Sequence, residues 1–237
     1  MTTFFTPRSL AFLRGLARNN RRDWFLAHRG DYESALLAPM RALVEELDVR
    51  LARLAPEIVG DPGRSLFRIY RDVRFSKDKS PYKVHAACWL FHRDASHRVG
   101  QESHGGGAGF YFHLQPGRSM DGGGLWMPPR EALSKLRDAM AEKPAAFERT
   151  VLAPAVRRRF GELDDEAVLT RVPRGYAPDH PAARWLRFRS FTMGRMLTDA
   201  QVTGARLPDL LAADFALMLP LVRWINGALG LKSAARR

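Results

Sequence analysis

Apolar residues recur along the chain with two periods, and the changes of period divide it. Leu10, Leu13, Leu16 and Ala17 repeat at helical spacing behind Thr6-Pro7, a hydroxyl N-cap followed by proline at the first helical position. Asn19-Asn20 ends that helix, and Asp23 is read as the cap of a second, with Trp24 and Phe25 facing inward. Leu36, Met40, Leu43, Leu47, Leu51 and Leu54 keep helical spacing across Pro39, which predicts a long helix kinked or restarted there. After the turn signal Asp61-Pro62-Gly63 the period falls to two. Strands are expected at 66–73, 82–92, 109–115 and 123–127, with the near-continuous apolar run of 82–92 in a central place. Their hairpin-like spacing predicts mainly antiparallel pairing.

Helical spacing then returns. Pro128-Pro129 opens a helix with Leu133, Leu136 and Met140 inward, Pro144 starts another, and Pro154 interrupts or restarts it before Arg157-Arg158-Arg159. A short strand is read at 169–172, a small helix from Asp179-His180-Pro181 to Trp185, and a return to the sheet at 187–193. Leu207, Leu210, Leu211, Phe215, Met218, Val222 and Ile225 mark a final helix bent at Pro220, and the tail 231–237 frays. With no repeat or long linker, the chain reads as one α+β domain. Helices occupy 1–60, the sheet 64–127, and helices with one or two added strands 128–230.

Composition adds a compartment and a partner class. No uninterrupted apolar run approaches the roughly 20 residues of a membrane span, and no basic segment precedes a long apolar stretch at the N-terminus. Cys88 is the only cysteine, so no intrachain disulfide forms. A cytoplasmic protein with no membrane association is expected. The net charge of +13 suggests an acidic partner, although a chain rich in Arg, Ala, Gly and Pro also fits a coding bias.

The charge concentrates in one stretch. Between Arg68 and Lys83 lie six cations (Arg68, Arg71, Arg74, Lys77, Lys79, Lys83) against Asp72 and Asp78, threaded with Ile69, Tyr70, Val73, Phe75 and Tyr82. Three of the six lysines in the chain fall here, where a compact ammonium replaces the usual guanidinium. The spaced pattern Arg68-x-x-Arg71-Asp72-x-Arg74-Phe75-x-x-Asp78-Lys79-x-x-Tyr82 resembles the signature of a bacterial and fungal family catalogued as domain of unknown function 2461. Phe12-Leu13, Asn19-Asn20, Trp24-Phe25, Gly122-Gly123-Gly124-Leu125-Trp126-x-Pro128 and His180-Pro181 are also similar to it. The resemblance covers nearly the whole chain and implies no activity.

From the residues, the leading expectation is an anion site. Arg68, Arg71 and Arg74 grip, Lys79 adds charge, and Tyr82 offers a hydroxyl to a phosphate-bearing small molecule. Asp72 is the one acid–base candidate in the motif, held ionised by its neighbours. Two alternatives stand beside it. One is nucleic-acid binding, with Tyr70, Phe75, Tyr82, Trp89, Tyr111 and Trp126 as stacking rings. The other is a structural ion-pair network in a partner-binding scaffold. His85 and His113 are expected near each other on strand faces as structural histidines. His85, His92, His97, His104, His113 and His180 show no metal-ligand spacing. Ser76 and Ser80 lie in no nucleophile elbow, and neither glycine run is a phosphate-binding loop followed by Lys-Ser/Thr. No cofactor and no metal are therefore called.

Overall fold

The computed structural model describes residues 3–74, 77–95 and 107–233. Helix α1 (Pro7–Arg18) starts behind Thr6, whose amide donates to Ser9 Oγ at 3.1 Å. In α2 (Arg22–Ala27) the N-cap geometry falls on Arg21, so Asp23 lies in the first turn, where its charge favours the helix dipole without capping it. Helix α3 (Arg29–Tyr32) passes through one wide π turn, Glu33–Leu37, into α4 (Ala38–Leu54). The restart expected at Pro39 takes this form: proline sits at the start of α4, where a missing N–H is tolerated.

Strands β1 (Ile58–Val59), β2 (Ala86–His92), β3 (Gly109–Leu114), β4 (Ser119–Leu125) and β5 (Phe191–Leu197) form one sheet in chain order. Every neighbouring pair is antiparallel. The architecture is a single α+β domain with N-terminal and C-terminal helices, as the alternation of periods predicts.

The stretch 66–73, expected as a regular strand, is an irregular extended arm. It follows β1 along the same edge of β2 and joins it at single bridges, Leu66 opposite Cys88 and Tyr70 opposite Tyr82. Four residue steps on one side therefore face six on the other, so the ladder cannot be continuous. Three backbone bonds still hold the arm: Phe67 N–H to the Ala87 carbonyl (3.0 Å), Lys83 N–H to that of Ile69 (2.8 Å) and Arg71 N–H to that of Pro81 (2.9 Å). The same bulge delays the regular part of β2 from Tyr82 to Ala86.

Strand β4 begins before the expected 123. Its three glycines depress strand propensity, yet close packing favours them: at Gly124 φ is +126° and a Cβ would collide with the Phe191 carbonyl of β5, and at Gly123 a Cβ would crowd the Met218 side chain. The expected strand 169–172 is only one bridge, Val168 to Phe188, and the chain rejoins the sheet at Phe191.

Helices α5 (Arg130–Glu142), α6 (Pro144–Val151) and α7 (Pro154–Phe160) are separate, as the prolines predict. Single turns α8 (Ala183–Leu186) and α9 (Asp199–Val202) lead to α10 (Leu207–Ala228), which runs through Pro220 as one element. By length and composition α10 would pass for a membrane span, but half of its most apolar window is buried in the fold. Its Phe215 stacks on Phe110 at 4.6 Å, and Asn226 exchanges two hydrogen bonds with the Ala108 backbone.

The helices cover the sheet face that carries Cys88, Leu90, Phe110, Phe112 and Leu114, all buried. Alternation places Trp89, Tyr111 and His113 on the other face, where each is only half-buried.

Candidate functional site

The basic motif occupies the arm and its tip, and the tip closes on itself. Asp72 accepts from Arg74 three times through the guanidinium (2.7, 3.1 and 3.3 Å) and once through the backbone N–H (3.1 Å). Those contacts, led by the Arg74 side chain, lower the Asp72 carboxyl to about 2. Asp78 takes a hydrogen bond from Arg71 and another from the Ser80 N–H at 2.9 Å. Lys79 Nζ donates to the Val73 carbonyl at 2.8 Å. Neither Arg74 nor Lys79 therefore points its donors at a common centre. Phe75 and Ser76 lie outside the described residues, as do His97 and His104.

Tyr82 is not a surface hydroxyl. Its ring is buried and stacks on Phe25 at 4.2 Å. Asn20 clamps its backbone from both sides, donating to the carbonyl at 2.9 Å and accepting the N–H at 3.0 Å. The bulge opposite Tyr70 turns this residue toward the helices, so one member of the expected grip belongs to the core.

A different subset comes together where the arm meets the sheet. Arg68 and Lys83 have no ion-pair partner among the described residues. Lys83 Nζ lies 5.4 Å from the Phe67 ring centre, and its basicity is lowered by burial and by the charges of Arg68 and Arg71. Arg71 reaches Asp78 and, at 3.4 Å, the Tyr82 carbonyl, while its Nε is buried without a hydrogen bond.

Beyond Lys83 the rings of His85 and His113 stack at 4.3 Å. Burial comes first among the forces that push His85 down to about 4, followed by His113, Lys83 and Arg71. His113 is lowered as well, chiefly by burial; its Nδ1 meets the Tyr111 hydroxyl at 3.1 Å and its Nε2 meets Gln115 Oε1 at 2.9 Å. The histidine pair expected from the strand pattern is thus present. It borders a group of cations rather than standing alone.

Two surface concavities lie elsewhere. One of about 490 Å³ beside α4 is lined by Glu45, Glu46 and Asp209 and by Arg50, which already pairs with Glu46 and Asp209, a poor setting for an anion. The other, about 330 Å³, overlies Asp214 and Arg159.

Beneath that second concavity is a buried charge cluster that the sequence pattern did not single out. Asp214 on α10 accepts from Arg159 Nε at 2.6 Å and from Arg195 Nε at 2.8 Å. Asp121 on β4 is fully buried, and among the described residues neither of its carboxyl oxygens has a donor at hydrogen-bonding geometry. Its basicity is raised first by burial and then by Asp214, and the two carboxyls can bond only when one keeps a proton. An aspartate within the apolar stripe of α10 was the available signal for Asp214; Asp121 among glycines carried none.

Among the described residues no cluster of three His, Cys, Asp or Glu side chains is assembled for a metal. Cys88 is buried, and burial raises its thiol to about 12, which suppresses the reactive thiolate.

No curated protein and no solved structure matches the chain. A family model described as "Conserved hypothetical protein (DUF2461)" matches residues 8–224, and the chain belongs to that family, whose description assigns no activity.

Proposed function

We propose that this protein binds a phosphate-bearing or similarly anionic ligand where the arm joins the sheet. Arg68, Arg71 and Lys83 supply the charge, and His85 and His113 act as adjustable neighbours. The reading rests on one observation: Arg68 and Lys83 are held near Arg71 with no carboxylate partner among the described residues, and their charges oppose one another. Lys83 is half-buried and Arg68 exposed beside it; a half-buried ammonium with like charges around it raises the free energy of the empty site, and an anion relieves that repulsion. Arg74 and Lys79 stand outside this scheme, since their donors are turned to partners at the tip. The setting proposed is the cytoplasm, where phosphorylated metabolites are abundant.

Calorimetric titration with phosphate, sulfate and nucleotides at low and moderate salt tests the assignment. Arg68→Ala and Lys83→Ala each lose a charge-assisted contact and weaken binding by about 1.5–3 kcal/mol. Arg74→Ala and Asp72→Ala bind as the wild type does and leave the melting temperature unchanged. Binding lost in Arg74→Ala but retained in Lys83→Ala would return the site to the tip and refute this placement.

A further inference from the structure

Next to the cations the open sheet face carries aromatic rings arranged by register. Trp89 pairs directly with Tyr111 across β2 and β3, so the two side chains share that face. Phe67 meets Tyr111 edge-on, with ring centres 5.9 Å apart, and Lys83 Nζ lies over the other side of this group at Phe67. The rings and the ammonium therefore lie on one side of the sheet.

Trp89 is the member with capacity to spare. It is half-buried, and among the described residues it has no ring contact and its indole N–H has no acceptor. Gly109 lies beneath it: a Cβ there would stand 3.1 Å from the indole ring and would also strike the Leu90 carbonyl. The absent side chain lets the indole lie across β3. Among the described residues neither face of the ring has an aromatic neighbour.

We infer that the anionic ligand carries a nucleobase, so that the site takes a nucleoside phosphate unit with its base stacked on Trp89 and its phosphate held by Lys83 and Arg68. This rests on the anion reading above. It adds the class of ligand, because charge complementarity at one end and an unstacked indole at the other match the two ends of a nucleotide. A free mononucleotide and one unit of a single-stranded nucleic acid present the same chemistry. The two sources differ in the number of phosphates engaged and hence in salt dependence.

The test compares inorganic phosphate, ribose 5-phosphate, adenosine monophosphate and short single-stranded oligonucleotides, using calorimetry on the full chain. Wild type is expected to prefer the nucleotide over ribose 5-phosphate by about tenfold, a stacking contribution of ordinary size. Trp89→Leu removes that preference while leaving phosphate affinity unchanged; Trp89→Phe, which keeps a ring, restores it. Far-ultraviolet dichroism establishes that both variants fold. Oligonucleotide affinity that falls steeply with salt, against a shallow dependence for the mononucleotide, assigns the polymer as the source; tighter binding of the mononucleotide assigns the small molecule. Equal affinity for nucleotide and ribose 5-phosphate overturns the inference and leaves the anion site standing. A preference that survives in Trp89→Leu also overturns it. Absence of binding by every probe overturns both.

Discussion

Replacing Asp121 with Asn removes one titrating carboxyl from a deeply buried polar cluster while keeping the shape of the side chain. In the wild type the carboxyl is fully buried, has no donor at hydrogen-bonding geometry among the described residues, and faces Asp214. The other charged groups around it are Arg195 on β5, whose Nε is 4.0 Å away, and Arg159 on α7, which binds Asp214. Burial and Asp214 raise its folded pKa to about 8, whereas an unfolded aspartate titrates near 3.9. The folded state therefore holds the extra proton between those values, and unfolding releases it. Stability from this group is complete in acid below the unfolded pKa and is lost as pH rises through the folded one. At about 1.4 kcal/mol per unit the full loss is on the order of 5 kcal/mol, and coupling to Asp214 reduces it to roughly 2–5 kcal/mol. Asn carries no titrating proton, and its amide can donate to Asp214 at every pH. For a chain of 237 residues each kcal/mol moves the melting temperature by about 2–4 °C. Thermal unfolding followed by dichroism should show the two proteins alike near pH 4, with Asp121→Asn melting about 5–15 °C higher near pH 9. Parallel profiles across that range, or a variant less stable in alkali, would refute a proton held between the two carboxyls.

Two further outcomes follow from the arm. Asn20→Ala leaves the Tyr82 N–H and carbonyl without their partners, which should lower stability by about 2–3 kcal/mol in urea unfolding; a loss within error would mean the clamp is replaced by solvent. His85, pushed down to about 4, is neutral in the folded free protein near neutrality, and an anion beside it favours its protonated form. Sulfate affinity should therefore rise as pH falls from about 7 toward about 5, and His85→Gln should flatten the rise, since the charge of sulfate does not change in that interval.

The fold was legible where periodicity was strong. Helical stripes located α1, α4, α5 and α10, and the alternation around Phe110 and Phe112 located β3. The start of β4 was hidden because glycine gives no apolar signal, and the need for Gly124 arises only from the neighbouring strand. In the motif, residue type announced a charged site but not its geometry. Asp72 meets Arg74 two positions away and Asp78 meets Arg71 seven away, local closures that a spacing compatible with a common ligand does not reveal. Tyr82 went inward because of the bulge, which depends on the register between two segments. Lys83, His85 and His113 converge because a strand pairing brings distant positions together. Asp121 and Asp214 meet across the layers, where no local pattern connects them.

The clamp between Asn20 and Tyr82 also latches the segment that returns from the arm to β2. The Tyr82 N–H is bonded to a side chain outside the sheet, so its exchange with solvent deuterium records that segment lifting from the junction of α1 and α2 while the central ladder stays intact. Lys83 follows Tyr82 on that segment, and its N–H bond to the Ile69 carbonyl ties it to the arm that carries Arg68. A ligand held between them and the sheet closes that latch more firmly, and the slowed exchange of one amide then reports occupancy of a site whose chemistry lies on the opposite side of the backbone.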